Sequence, residues 1–372
     1  MKVAVTVLTF CVAALLALGM VMLYSSSMTQ VGARYLVMQL CWGALGLVLC
    51  VGAASVDYRV LKKVAWPLLA VAVLLLALVL LPQMGRRIHG ARRWFDFHGF
   101  RFQPSELAKV ALLIALAWYG ERHQRRMPSW KRGILIPGLF IGPVLGLIFV
   151  EPDRGTTVLL AAVSAAVLLI AGVRWKYFVP PIAVGAVGLA LSLWHDPMRM
   201  RRIFSWLNLE EHKSGTGYQA YQAMLALGSG GWTGLGLGNG RQKLGFVPEH
   251  HTDFILSIIG EELGLVATLL VVMAFVVIVL CGVYIARRAP DPFGLLLGSG
   301  LTFLIGLQAA INIGVVTSAL PNKGLPLPFI SYGGSNLLVM LTCVGCLLGI
   351  ARKARLADGM TAVPASREVQ PA

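Results

Sequence analysis

Charge is what this sequence has least of. Only 13% of its 372 residues are Asp, Glu, Lys or Arg, against roughly 25% in soluble globular chains. With 57% hydrophobic residues and a mean hydropathy of +0.76, most of its surface is solvated by lipid, not by water. Acidic residues are scarcer than basic ones: 16 Asp and Glu stand against 32 Lys and Arg, a formal net charge of +16. That excess lies between the apolar runs, where it suits anionic headgroups or a phosphate-bearing substrate. Nucleic acid does not fit as a partner, because soluble nucleic-acid binders are not this apolar. Cysteine is absent from the polar segments. Cys11, Cys41, Cys50, Cys281, Cys343 and Cys346 all fall inside apolar runs, which reads as small buried hydrophobes, not as disulfides or metal ligands. No repeat of fixed period and no Walker motif occurs. Gly215 to Ala220 nominally fits G-x-G-x-x-A, but no strand precedes it, so a Rossmann reading is discarded.

What is present is a series of long apolar runs. A bilayer core requires about 20 apolar residues per helix. By that measure the chain has ten spans, at about 3–24, 35–54, 64–82, 104–119, 134–150, 155–173, 177–194, 254–286, 294–319 and 329–351. This predicts an all-α polytopic membrane protein with a large extracytoplasmic loop, 195–253, between the seventh and eighth helices. The first run exceeds the ~7–15 residues of a signal-peptide core, and a second span comes at once after it, so it is read as a retained helix. The fourth run is short and carries Glu106 and Lys109; the eighth is long enough to tilt or to leave the membrane. One membrane domain is expected over 1–355. Residues 356–372 are polar and Pro-containing, and are expected to form a disordered cytoplasmic tail.

Lys and Arg in short loops set orientation. With the N-terminus inside, the inner loops hold Arg59, Lys62, Lys63, Arg122, Arg125, Arg126, Lys131, Arg132, Arg174, Lys176, Arg287 and Arg288, while the short outer loops hold Arg34, Arg154 and Lys323. Two longer outer loops break the pattern. Residues 83–103 carry Arg86, Arg87, Arg92, Arg93 and Arg101, and residues 195–253 carry Arg199, Arg201, Arg202, Lys213, Arg241 and Lys243. Long loops translocate regardless of charge. The functional alternative is phosphate binding at the outer leaflet, for which Arg and Lys are the natural partners.

Ionisable residues at membrane depth are costly and so mark four places. In Gln103–Lys109, Pro104 suits a first helical turn, and Glu106 and Lys109 share a helix face as a possible ion pair. Glu151-Pro152-Asp153-Arg154 packs two carboxylates and a cation into a turn. Pro248–Phe254 leads polar residues into a long apolar helix, which Thr252 or Asp253 could cap. His250, His251 and Asp253 do not match a zinc spacing. Pro321–Ser335 has three prolines in eight residues, which prevents regular helix; such backbone is tolerated where it lines a cavity. The Gly-rich stretch 228–240 allows flexibility or close backbone approach.

Taken together these runs carry a resemblance. Gly236-Leu237-Gly238-Asn239, His251-Thr252-Asp253-Phe254, Gly260-Glu261-Glu262-Leu263-Gly264 and Leu325 through Ser335 resemble the signature of the SEDS family. Arg92-Arg93-Trp94 followed by Gln103–Lys109 is similar to the family's second outer loop and fourth span. The likeness covers residues 1 to about 355. Asn336 stands where a second Ser is common. Gly238-Asn239 and Ala319–Gly324 look more like the division branch than the elongation branch.

The resemblance implies ten spans with both termini cytoplasmic, in the bacterial inner membrane and at the division septum. It implies a peptidoglycan glycosyltransferase that polymerises lipid II at the outer face, with inversion and release of undecaprenyl diphosphate. It places the essential carboxylate at Asp253. Arg92, Arg93, Arg101, Lys243, His251, Thr252, Lys323 and Ser331 are the candidates for binding substrate and its diphosphate. Glu106, Lys109, Glu151, Asp153, Glu262, Pro328 and Gly333 are candidates for positioning. No metal site is evident, though a divalent cation, Mg2+ or Mn2+, could share the diphosphate charge. The partners implied are a class B penicillin-binding protein, activators from the division complex, and membrane lipids. An elongation polymerase, a lipid II flippase and a non-catalytic scaffold are the rival readings.

Overall fold

Lipid offers backbone groups nothing to bond with, so an apolar run that crosses it must satisfy its amides internally as a helix. The computed structural model describes residues 1–27, 32–82, 84–88, 91–97, 100–244 and 252–361. Its helices are α1 (Lys2–Ser27), α2 (Arg34–Ser55), α3 (Leu61–Leu80), α4 (Pro104–Arg122), α5 (Ile136–Val150), α6 (Arg154–Ile170), α7 (Val179–Trp194), α8 (Pro197–Leu207), α9 (Tyr218–Ser229), α10 (Ile255–Arg287), α11 (Pro292–Val316) and α12 (Gly334–Thr361). Each of the ten predicted spans overlaps one of these helices; α8 and α9 fall in the long segment between α7 and α10. Among the described residues, eight helical segments are long and apolar enough to cross a membrane. The two that fall short are α4 and α6.

The reason is clearest for α4. It carries Glu106, Lys109, Glu121 and Arg122, yet nearly every residue from Pro104 to Gly120 is buried. Its neighbours α3 and α11, with α6 behind, surround it with protein in place of lipid. Leu112, Leu113 and Leu116 share one buried core with Leu297, Leu301 and Leu304. Around this centre α2 lies along α12, and α1 along α10. At the other extreme, α7 has no buried residue.

Two expectations are corrected. The segment 83–103 is not an open loop: it forms an antiparallel sheet, β1 (Arg86–Ile88), β2 (Ala91–Phe97) and β3 (Phe100–Phe102), with Arg86 opposite Trp94 and Asp96 opposite Arg101. The protein is therefore predominantly helical with a small sheet. β1 and β3, with three residues each, are too short for periodicity to reveal them. Second, not all cysteines are buried: Cys41 is exposed on α2, and all six are free. α12 continues to Thr361, through the first residues of the expected tail; residues 362–372 lie outside the described residues.

The sheet marks one end of the bundle. At the opposite end, polar pairs bind the helices together. Tyr58 donates to the Asp291 carboxylate at 2.5 Å, and the Arg59 Nε does so at 2.9 Å. Lys62 pairs with Glu121 at 2.8 Å and Lys353 with Asp57 at 2.7 Å. Asp291 also caps α11 by accepting from the Gly294 amide at 2.8 Å.

Candidate active site

The Gly-rich stretch acquires its meaning from α10. That helix is broken at Gly264, whose φ of 79° and ψ of −177° are open essentially only to glycine. Segments 231–236 and 261–266 pair across the break. Leu235 and Gly236 donate to the carbonyls of Glu261 and Glu262 at 3.0 Å, and Leu265 donates to Gly231 at 2.9 Å. A Cβ on Gly264 would lie 2.4 Å from the Gly234 nitrogen, so the backbones could not meet. The two buried carboxylates then hold the chain from Gly238 to Lys243. Glu261 accepts from the amides of Arg241 and Gln242. Glu262 accepts from the Gly238 amide at 2.9 Å, the Ser25 hydroxyl at 2.7 Å and Lys243 Nζ at 2.7 Å.

Beyond this clamp α10 begins. The cap position falls at Phe254, not at Thr252 or Asp253 as expected, and Phe254 makes no side-chain capping bond. Asp253 is instead held by its backbone. The Asn312 amide of α11 donates to the Asp253 carbonyl at 2.8 Å and to the Leu325 carbonyl at 2.7 Å. The Asp253 carboxylate lies on the bare face of Gly324, where a Cβ would stand 2.6 Å from Oδ2. The proline-rich segment thus meets the start of α10. It also meets α6, because Leu325 packs over Gly155.

That second contact brings in the Glu151–Arg154 turn. Asp153 caps α6, accepting from the Thr156 amide at 3.1 Å and its hydroxyl at 2.9 Å. Lys323, next to Gly324, is half-buried. Burial holds its ammonium pKa below the ordinary lysine value, and attraction to Asp153 partly restores it. Arg93 of β2 reaches the turn from the sheet, donating to the carbonyls of Glu151 and Pro152, both at 2.7 Å. Glu151 is fully buried, and neither carboxylate oxygen has a hydrogen-bond partner among the described residues. Burial first, then repulsion from Asp153, raises its pKa to about 8, against a smaller pull from Arg93.

Behind the patch runs a string of buried polar side chains. Glu106 and Lys109 form the anticipated ion pair at 2.8 Å. Asn336 donates to Glu106 at 3.1 Å, and Lys109 donates to Gln308 at 3.0 Å. Gln308 in turn donates to the Pro326 carbonyl at 2.9 Å. Gln39 of α2 braces the same segment at the Ser331 carbonyl and the Gly333 amide. Gln308 and Asn312 are one helical turn apart on α11, so both reach the proline-rich segment from one face.

The sequence candidates therefore divide. Asp253, Lys323, Asp153, Glu151 and Arg93 converge. Arg92 is half-buried on β2; Arg101 is exposed on β3, with its carbonyl accepting from Ser335 at 2.9 Å. Thr252 is half-buried beside Asp253. Lys243 is turned inward, 3% exposed and paired with Glu262, so it fixes the Gly-rich segment and is not an open cation. The Ser331 hydroxyl is likewise engaged, accepting from the Leu327 amide at 2.8 Å. Pro328 is buried and Gly333 half-buried in that turn. His251 lies outside the described residues. Among the described residues no group of three or more His, Cys, Asp or Glu is placed to hold a metal ion. Sequence reasoning missed Asn312, Gln308, Gln39 and Ser25. Amides inside apolar spans, spaced four apart on α11, were the available signal.

Known proteins fit this arrangement over nearly its whole length. A chain from Geobacter metallireducens named "Probable peptidoglycan glycosyltransferase FtsW" is 40% identical over 346 residues, 91% of this chain and 92% of its own. One of the same name from Coxiella burnetii is 39% identical, over 92% of this chain and 95% of its own. Among solved structures, a chain from work on coordinated polymerization and crosslinking by a peptidoglycan synthase complex superposes with a TM-score of 0.79. It is 30% identical and covers 93% of this chain and 97% of its own. The rod shape determining protein RodA of Thermus thermophilus gives 0.71 at 31% identity, with coverage of 93% and 96%. A family profile for the FtsW/RodA/SpoVE group, described as cell cycle protein, matches residues 6–356. On these grounds the chain belongs to the FtsW/RodA/SpoVE family of polytopic membrane proteins.

Proposed function

We propose that this protein is a peptidoglycan glycosyltransferase that polymerises lipid II for septal wall synthesis, with Asp253 as its general base. The observation carrying the site assignment is the position of Asp253. Its backbone is fixed by Asn312, its carboxylate rests against Gly324, and the cationic Lys323 and the Arg93–Glu151 turn adjoin it. The name shared by relatives about 40% identical supports the reaction.

In the proposed step the Asp253 carboxylate takes the proton of the acceptor GlcNAc 4-hydroxyl. The freed oxygen attacks the donor's anomeric carbon from the face opposite the diphosphate. The carbon–oxygen bond to undecaprenyl diphosphate breaks, and the leaving group departs with the electron pair and an inverted centre behind it. Its negative charge calls for cations, which Lys323, Arg93, Arg92 and Arg101 supply.

Ten crossings with both termini cytoplasmic would set the sheet end on the outer face of the inner membrane. A class B penicillin-binding protein would crosslink the product; a structural neighbour comes from a synthase complex that joins the two activities. Division-complex proteins would activate it.

A flippase would need polar groups through the membrane depth. Among the described residues, the buried charged and amide side chains gather at the sheet end. They are Gln39, Gln103, Glu106, Lys109, Glu151, Asp153, Arg154, Lys243, Glu261, Glu262, Gln308, Asn312 and Asn336. The test is polymerisation of fluorescent lipid II by purified protein with its transpeptidase, beside Asp253→Ala. Strands from wild type and none from the folded variant are expected. Equal strands from both would remove Asp253 from the mechanism.

A further inference from the structure

Arg154 is a charged side chain at the sheet end that the proposed reaction leaves unused and the fold leaves unsatisfied. It occupies the first position of α6, where the positive end of the helix dipole disfavours a cation. Its residue is 8% exposed. Through Nη2 it donates to the Ser192 hydroxyl, and to the Ser192 carbonyl at 3.2 Å, in the last turn of α7. Its Nε and Nη1 have no partner among the described residues. Nor does any carboxylate among them pair with it: Asp153 is engaged by Thr156 and Gln103, and Glu151 makes no side-chain hydrogen bond. The ring of Phe149 lies 5.3 Å from the guanidinium carbon, an aromatic face that attracts the cation but carries no net charge to neutralise it.

A buried guanidinium with two open donors is expensive unless an anion completes it. The location says which anion. Both contributing helix ends, Arg154 at the start of α6 and Ser192 near the end of α7, fall at the ends of predicted spans, and α7 has no buried residue to block approach from the bilayer. We propose that Arg154 and Ser192 form a binding notch for the phosphate of a membrane lipid, entered from the bilayer between the sheet ends of α6 and α7. Arginine suits this role because its donors point in fixed directions that match phosphate oxygens. Ser192 completes the notch by orienting the guanidinium and offering its own hydroxyl. The inference stands whether or not the polymerase reading does. Two lipids carry the required group: a glycerophospholipid, and a polyprenyl diphosphate.

The experiment uses the full chain in a neutral detergent. Thermal unfolding is followed while phosphatidylglycerol, or phosphate-free digalactosyl diacylglycerol, is added, and native mass spectrometry counts bound lipid. Phosphatidylglycerol should stabilise the wild type, with an affinity about tenfold weaker in Arg154→Gln, the effect of losing one charge-assisted hydrogen bond. Arg154→Lys should fall between them, and the galactolipid should not distinguish the three. Farnesyl diphosphate identifies the source. Displacement of phosphatidylglycerol from wild type alone assigns the notch to a prenyl diphosphate; no displacement assigns it to the phospholipid headgroup. Without lipid, Arg154→Gln should be at least as stable as wild type, because it removes an unpaired buried charge. Phosphate lipids binding wild type and Arg154→Gln equally would overturn the proposal. So would a lipid-free loss of stability in Arg154→Gln with unchanged phosphatidylglycerol affinity, which would make Arg154 a tether for α7.

Discussion

The Lys243–Glu262 pair offers the sharpest test of how the Gly-rich segment is held. Both residues are almost wholly buried, and the charged atoms lie 2.7 Å apart. Glu262→Gln removes the negative charge but keeps an oxygen that can accept from Ser25 or Gly238. It takes the carboxylate from the Lys243 ammonium, which also donates to the Gly238 carbonyl at 2.8 Å and the Ser25 hydroxyl at 3.0 Å. Removing one member of a buried ion pair costs about 3–5 kcal/mol, most of it the stranded charge. At about 2 °C per kcal/mol for a large chain, the melting temperature in detergent should fall by about 6–10 °C. Adding Lys243→Met removes the stranded charge and should recover at least half of that loss. Hydrogen exchange then tells which contact failed. The Gly238 amide depends on the Glu262 carboxylate and should lose protection first. The amides of Leu235 and Gly236, bonded to backbone carbonyls, should keep theirs. A drop below about 2 °C, or a double variant no better than the single one, would refute the clamp.

Four further outcomes are expected from the same geometry. Gly324→Ala adds a Cβ 2.6 Å from Asp253 Oδ2; displacing the carboxylate by about 1 Å should reduce lipid II polymerisation roughly 100-fold while thermal stability stays near wild type. Asn312→Leu leaves two carbonyls, those of Asp253 and Leu325, without their donor, which should cost about 1–3 kcal/mol for each, read by thermal unfolding. Gly264→Ala forces a side chain into a glycine-only conformation, costing about 1–3 kcal/mol before the clash with Gly234 is counted, and should yield little folded protein on gel filtration. Glu151 has a folded pKa of about 8 against an ordinary 4.5, so the folded state holds the proton more tightly than the unfolded. Stability should therefore decline as pH rises from about 4.5 to about 8, and Glu151→Gln should flatten that decline in melting curves taken across the range.

Most of the helices were legible because a run that faces lipid must be apolar along nearly its whole length; α4, enclosed by protein, is the exception. The Glu106–Lys109 pair was legible for a related reason: two opposite charges three residues apart inside an apolar run have few alternatives to each other. Local spacing failed where the partner was remote in sequence. Lys243 looked like a cation free for phosphate because nothing near it in the chain answers its charge; its partner Glu262 is 19 residues on, across a helix break. For Ser331 the reason is local, its hydroxyl being taken up by the Leu327 amide four residues back, and the Arg-rich segment is folded into a sheet whose outer strands have only three residues each.

The same distinction applies to Asp253, which the family resemblance singled out while its surroundings stayed hidden. A capping role for Asp253 was a sound local alternative, and only the placement of the cap at Phe254 removes it. What positions the carboxylate instead is a chain of amides, Asn312 to the carbonyls of Asp253 and Leu325, and Gln308 from Lys109 to Pro326. Each of these side chains is ordinary alone, since one amide in a 25-residue apolar helix can be satisfied in many ways. Their significance comes from sharing a face four residues apart and from meeting a segment whose prolines leave carbonyls unpaired. The prolines expose the acceptors and α11 supplies the donors. The start of α10 is thereby fixed at the place where a substrate hydroxyl would have to find its base.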